Sequence, residues 1–215
     1  MDLGVTCDFM GNAMLVLADK YPGGSRRMRI QNLYKAMVEY YDRTGADSRL
    51  PELTESMLRK SSGAPKLRAK GAEARNLVGF IWEQADQHLC KGDVVESSIR
   101  QAAYHLRACY ECLENTVFDH DVMSENSRRF CLLYAALEKA SRNPMHWRLK
   151  PKFHLMQELC EMSPHNPARN WLYRDEDFGG TMAAMARVRG GRASAAVVGR
   201  NVLLKFKAKH PLPTV

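Results

Sequence analysis

Residues 147–180 of this chain read WRLKPKFHLMQELCEMSPHNPARNWLYRDEDFGG. They form a basic lead-in, an apolar helical segment from Pro151 to about Glu161, a Pro/Asn loop, an aromatic triplet at 171–173 and three consecutive carboxylates at 175–177. The triplet predicts a short buried strand, and the carboxylates predict the first turn of a helix. We expect scaffold before this stretch and a cationic arm after it.

Apolar residues at helical spacing dominate the sequence before this stretch. Ser25 is a good N-cap for the first long helix, and Pro22-Gly-Gly24 ends the element that precedes it. A short polar turn joins the last two long helices, so we expect those two to pack antiparallel. The predicted helices are 26–44, a short one that ends at Leu58, 68–90, 94–117 and 122–142.

The first 20 residues also carry a helix-compatible apolar pattern, but it includes Gly4 and Gly11. A glycine inside a helix costs about 1 kcal/mol relative to alanine. Two glycines in so short a segment therefore indicate close packing or a bend rather than a free amphipathic helix.

Composition places the chain among ordinary globular proteins. Its 215 residues suit one large domain or two small ones, and 45% are hydrophobic and 26% charged. No apolar run approaches the roughly 18–20 residues of a membrane helix, and the amino terminus lacks the features of a signal peptide. The six cysteines do not show the spacing of a disulfide framework. We expect a protein of the nucleus or cytoplasm that makes no membrane contact.

The positive charge is concentrated after Gly179. The segment from there to Val215 contains no Asp or Glu, and of the net charge of +8 only +1 belongs to residues 1–178. Such clustering is typical of proteins that bind the phosphate backbone of nucleic acids, although a solvated basic tail has the same composition. The candidate DNA-binding residues are Arg187, Arg189, Arg192, Arg200, Lys205 and Lys207.

The carboxylates Asp175, Glu176 and Asp177 are candidates for metal-dependent chemistry. Cleavage of a phosphodiester needs carboxylates from separate elements that converge on Mg²⁺. Since successive helix residues point about 100° apart, at most one of the three faces inward, and its partners must come from elsewhere. The alternative, which composition favours, is that these residues stabilise the helix dipole.

Cys109 and Cys112 form a CxxC motif, with Cys131 and His105 as possible further zinc ligands. The motif lies in a long helical pattern, whereas structural zinc sites usually take paired ligands from turns. Buried thiols on a helix face are therefore the favoured interpretation. The sequence contains no phosphate-binding glycine loop.

Four short blocks, in this order, resemble the later half of the catalytic region of eukaryotic cut-and-paste DNA transposases. The first is Met1–Val5 with Gly11-Asn12, which is similar to the segment around that family's second acidic position. The others are LRAKGAEARNL at 67–77, KPKFHL at 150–155 and DEDFG at 175–179. The resemblance extends over nearly the whole chain.

The resemblance implies a mainly α fold: a multi-helix bundle followed by a small remnant of an RNase H-like α/β core. Residues 1–20 would be a remnant of the catalytic core, 21–145 an all-helical insertion, and 146–209 the final core segment with its acidic helix and basic arm, ahead of a disordered tail at 210–215. Glu176 would be the catalytic, metal-binding carboxylate, and Asp2, near the second acidic position, would be a further candidate metal ligand. Lys150, Lys152 and His154 are carried over as motif residues.

The chain departs from that family where catalysis is concerned. The strands that bear the first acidic residue, and the Asp-x-x-His before the second block, are missing, so we expect an N-terminally truncated relative. A single carboxylate cannot hold two metal ions against phosphate, and Mg²⁺ belongs only to a complete parent site. We therefore expect no strand cleavage by this chain alone.

Three functional hypotheses follow. The first is a transposase-derived fragment that binds DNA non-specifically through its basic end. The second is a helical protein–protein interaction module with no nucleic-acid role, and the third, the least favoured, is a competent small nuclease. Loss of the central sheet would leave an apolar face uncovered, so self-association is also expected.

Overall fold

The computed structural model describes residues 2–59 and 63–170, and five residues near the end, Val197, Gly199, Arg200, Leu203 and Leu204. The predicted strand at 171–173, the carboxylates at 175–177 and the tail at 210–215 lie outside the described residues. So do the basic residues Arg187, Arg189, Arg192, Lys205 and Lys207, whereas Arg200 is described and exposed. Contacts group the chain into two units, residues 1–168 and 169–215.

Helices make up the first unit. A π-helix, Asp2–Thr6, runs directly into α1, and a 3₁₀ turn, Pro167–Asn170, follows the last α-helix. The α-helices are α1 Cys7–Ala18, α2 Arg26–Thr44, α3 Glu55–Leu58, α4 Gly71–Asn76, α5 Val78–His88, α6 Val94–Glu114, α7 His120–Ala140 and α8 Pro151–Met162. No strand occurs in the described ranges. The mainly α prediction is confirmed, and the RNase H-like remnant and the domain boundaries stay predictions.

Local signals account for most helix ends. The Ser25 hydroxyl accepts a hydrogen bond from the Met28 amide at 3.3 Å, and Gly45, with φ of 66°, ends α2 in the left-handed conformation. Pro151 occupies the first turn of α8, where its missing N–H costs nothing. The predicted starts of α2 and α8 are confirmed.

The prediction of one helix over 68–90 is wrong. Residues 68–70 are not helical, and the residues after them form two helices, α4 and α5, that meet at Leu77. The Leu77 N–H donates to the carbonyls of Ala74 and Arg75 instead of continuing the α-helical pattern. Leu77 and its neighbour Val78 are both buried. Tertiary packing overrides a good helical sequence here, because the break lets both side chains enter the core.

The two longest helices, α6 and α7, pack antiparallel, as predicted. His105 Nδ1 lies 2.8 Å from Asn126 Oδ1, and the Cys112 thiol donates to the Asp119 carbonyl at 3.1 Å. Of the two contacts, the one that involves the earlier residue of α6, His105, involves the later residue of α7, Asn126, as antiparallel packing requires. Asp93 and Asp119 cap the two helices through their side chains.

Helix α1 lies at the centre of the unit. Ten of its 12 residues are buried, as expected of a helix that is surrounded on all sides. The Phe9 ring centroid lies 5.4 Å from that of Phe130 in α7 and 5.9 Å from that of Trp147. In the part of the chain that the structure describes, no helix is long and apolar enough to cross a membrane.

Candidate functional site

Asp8, in the first turn of α1, is a buried charge. The residue is 1% exposed, and its Oδ2 atom lies 2.6 Å from Lys150 Nζ and 2.7 Å from Lys152 Nζ. Its other oxygen, Oδ1, is buried and has no hydrogen-bond partner among the described residues. The two lysines therefore provide the compensation that a buried carboxylate requires.

Lys150 and Lys152 come from the N-terminus of α8. Their side chains are 32% and 27% exposed, so each lysine contacts the buried Asp8 and is also partly open to solvent. Lys152 Nζ also donates to the Gly4 carbonyl at 2.9 Å. Cations are unfavourable at a helix N-terminus because the helix dipole is positive there. The Asp8 carboxylate offsets that cost.

A strained turn directs these lysines towards α1. Trp147 has a φ of 54°, a conformation that costs a bulky residue on the order of 1–3 kcal/mol. Its amide donates to Asn12 Oδ1 at 2.9 Å, and Asn12 Nδ2 donates to the Asp8 carbonyl at 2.9 Å. The indole also packs edge-on against Tyr134, with 5.7 Å between ring centroids. These contacts hold the turn in place.

A second segment, residues 64–70, crosses α1 at Gly11. A Cβ atom on Gly11 would lie 2.5 Å from both the Cα and the N atom of Lys66. The Leu67 amide donates to the Cys7 carbonyl at 2.8 Å, close to the point where the π-helix becomes α1. The prediction that the early glycines mark close packing or a bend is thus confirmed at Gly11.

Segment 64–70 has the alternation of an extended chain. Pro65 and Leu67 are buried, whereas Lys66, Arg68 and Lys70 are exposed. The amides of Lys66 and Arg68 bond the carbonyls of Leu58 and Met57 at 2.8 and 2.9 Å, which fixes the segment against α3. Three cations therefore project outwards from an anchored backbone.

Both segments that flank α1 are basic and free of acids. Residues 56–72 contain five lysines and arginines and no Asp or Glu, and the same is true of residues 139–157. Burial lowers the pKa of Lys152, and Lys150 and Lys66 lower it further, whereas Asp8 acts in the opposite direction. Burial, with Arg59 and Arg26, also lowers the pKa of His146. Asp8 is the acid enclosed between these positive segments.

The structure brings together two of the three motif residues. Lys150 and Lys152 meet at Asp8, whereas His154 is exposed, with its Nε2 atom 3.8 Å from Glu158 Oε1 on the same helix. Asp2 lies in the π-helix, and Glu176 is outside the described residues. The sequence interpretation missed Asp8, although a signal exists: it is the one acid in the apolar run VTCDFMGNAMLVLA at 5–18.

The CxxC cysteines are buried thiols, as the favoured interpretation has it. Cys109 and Cys112 are 0% and 2% exposed on α6, and burial raises the pKa of both. His105 is engaged with Asn126 rather than with a thiol. No three His, Cys, Asp or Glu side chains among the described residues come together as metal ligands.

The arrangement around α1 suits anion binding. It presents ammonium and guanidinium donors at the surface, and its one buried carboxylate is already engaged by two lysines.

Comparisons with models of protein families, with curated proteins and with solved structures find no match to this chain.

Proposed function

We propose that this chain is a transposase-like protein fragment that binds nucleic acid through its phosphate backbone, without sequence preference and without strand cleavage of its own. The observation that carries the proposal is the outward row of Lys66, Arg68 and Lys70 on a backbone anchored to α1 and α3. Contacts to phosphate fix a protein on nucleic acid but do not read the bases.

Several arginines elsewhere in the protein are paired with acids, as in Arg100–Asp86 at 2.8 Å and Arg49–Asp42 at 2.6 Å. Lys66, Arg68 and Arg148 are exposed, and none forms an ion pair with any of the described residues. Phosphate contacts would therefore not compete with internal salt bridges there. The basic arm after Gly179 adds seven further cations to the same chain.

In an intact parent protein, Glu176 would serve as a Mg²⁺ ligand together with carboxylates from other elements. The resemblance in the blocks at 67–77 and 150–155 supports the proposal, because both blocks contribute to the basic surface. The first supplies Arg68 and Lys70, and the second supplies Lys150 and Lys152.

Substitution of the outward row tests the proposal. We expect duplex DNA of two unrelated sequences to bind with similar affinity, and affinity to fall steeply with salt because bound counterions are released. In Lys66→Gln/Arg68→Gln/Lys70→Gln the slope of log K against log salt should fall by about 2–3, roughly 0.9 per phosphate contact. Fluorescence anisotropy over a salt series measures both quantities.

The matched control is Arg43→Gln/Arg49→Gln/Arg100→Gln, which removes the same charge from arginines paired with acids. It should leave the slope within about one of the wild-type value. No binding at low salt, or an equal loss in both triple variants, would disprove a localised phosphate-binding surface. Neutralising Arg187, Arg189 and Arg192 measures the contribution of the basic arm in the same assay.

One observation favours the alternative of a protein–protein interaction module. Leu155, Leu159 and Met162 of α8 are 61%, 45% and 75% exposed. Their spacing of four and three residues places them on one face of the helix. A row of large exposed apolar side chains is typical of an interaction surface.

Self-association through this face has a direct test. If α8 pairs with a second copy, the purified chain should elute in size-exclusion chromatography at an apparent mass above its monomer mass of 24.4 kDa. Burial of the apolar row would stabilise such a dimer. The variant Leu155→Glu/Leu159→Glu should then elute as a monomer. Light scattering gives the mass directly, and Leu132→Glu, an exposed position on α7, is the control. A wild-type monomer at high concentration would exclude this surface as a self-association site.

A further inference from the structure

We propose that Lys150 and Lys152 form a seat for a single phosphate group, and that Asp8 is the positioning residue that fixes the two ammonium groups. The seat deepens the proposed function, on which it rests, by assigning one backbone phosphate to a defined pair of side chains. Its partner is thus a phosphodiester or phosphomonoester group rather than a base.

Geometry brings the two donors close together. Both Nζ atoms contact the same oxygen of Asp8, at 2.6 and 2.7 Å, so they lie no more than 5.3 Å apart, the sum of those distances. Charge-assisted hydrogen bonds to phosphate measure about 2.7–2.9 Å. Two ammonium groups at this separation are close enough to donate to the same phosphate.

Electrostatics leaves the pair with unsatisfied positive charge. The two lysines face one carboxylate, and Lys66 adds a third positive charge nearby, since it lowers the pKa of Lys152. The first turn of α8 contains no acid, and Lys150, its N-cap residue, makes no capping hydrogen bond through its side chain. The partial positive charge of the helix N-terminus therefore adds to that of the lysines. A bound anion would offset part of this positive charge.

Asp8 keeps the pair in place. Its carboxylate is buried, and its Oδ1 atom has no hydrogen-bond partner among the described residues, so loss of both ammonium groups would leave a buried charge unpaired. Free lysine side chains are mobile and lose rotamer entropy when they bind a ligand. Because Asp8 already holds Lys150 and Lys152 in place, these two lysines lose less rotamer entropy when they bind a phosphate.

Two consequences distinguish a positioned seat from a general positive surface. Inorganic phosphate added to the wild-type protein should shift the amide NMR signals of residues 150–153 saturably. In Asp8→Asn, which keeps both lysines, phosphate should bind about tenfold more weakly, because two side chains must then be ordered on binding. If charge alone determined the affinity, phosphate would bind more tightly in Asp8→Asn, since this substitution removes a negative charge.

The remaining variants separate this proposal from the proposed function. The variant Asp8→Asn/Lys150→Gln/Lys152→Gln, which removes the buried charge with its partners, should lose the phosphate shifts and lower the DNA salt slope by about 1. Lys139→Gln, an exposed residue of the same acid-free segment, should keep the phosphate shifts and their affinity. Phosphate shifts spread evenly over the basic residues, or tighter binding in Asp8→Asn, would overturn the seat even if DNA binding persists. A saturable seat in a protein that does not bind DNA would instead refute the proposed function.

Discussion

Replacing Lys150 and Lys152 together by methionine should lower the free energy of unfolding by about 3–5 kcal/mol, the cost of leaving a buried charge without its partners. Asp8 is 1% exposed, and its Oδ1 atom has no other hydrogen-bond partner among the described residues. Urea denaturation followed by circular dichroism measures the loss.

A third substitution should reverse most of that loss. In Asp8→Ala/Lys150→Met/Lys152→Met the whole buried ionic cluster is replaced by apolar side chains no larger than those they replace, a change that is often neutral or stabilising. Lys139→Met, at an exposed position, should alter stability by no more than about 0.5 kcal/mol. A double variant as stable as the wild type would mean that Asp8 does not depend on these lysines.

Gly11→Ala should destabilise the protein by about 2–3 kcal/mol. The added Cβ would lie 2.5 Å from backbone atoms of Lys66, which cannot rotate away as a side chain would. Overpacking of this kind costs about 1–3 kcal/mol, and displacing the segment also breaks the hydrogen bond from the Leu67 amide to the Cys7 carbonyl. Alanine regains only about 1 kcal/mol of helix propensity.

Gly4→Ala is the matched control. A Cβ there would meet Lys152 Cδ at 3.5 Å, an ordinary van der Waals distance at a flexible side chain, so stability should hold or rise slightly. Hydrogen exchange locates the Gly11 effect: the Leu67 amide should lose protection in Gly11→Ala and keep it in Gly4→Ala. If Gly11→Ala is as stable as the wild type, the close crossing of residues 64–70 over α1 is absent.

Much of the helical scaffold follows from local sequence. Caps and breakers act on backbone groups within four residues, so Ser25 and Pro151 predict the starts of their helices correctly. The start of α7 at His120 lies two residues before the predicted one at 122. The buried CxxC thiols follow in the same way, from an apolar helix face. The division at Leu77 does not, because no proline marks it and the nearest glycine, Gly79, lies inside the second helix. Packing therefore favours two helices over one.

The transposase resemblance stays a prediction, and the mainly α part of its fold is what the described residues share with it. The catalytic role that the resemblance implies for Glu176 concerns a residue outside the described ranges. Its motif block at 150–155 led to the two lysines of the candidate site, but it did not indicate their partner. The first block indicates Asp2 as its acidic site residue, whereas the acid that the two lysines contact is Asp8.

The sequence by itself determined the helical class, most helix ends and the excess of positive charge, because each depends on neighbouring residues or on composition. Only the tertiary structure decided that Lys150 meets an aspartate 142 residues earlier in the chain. That pairing depends on α1 being enclosed, on the strained turn at Trp147 and on the crossing at Gly11. The strength of a charge pair depends on burial and distance, and folding fixes both.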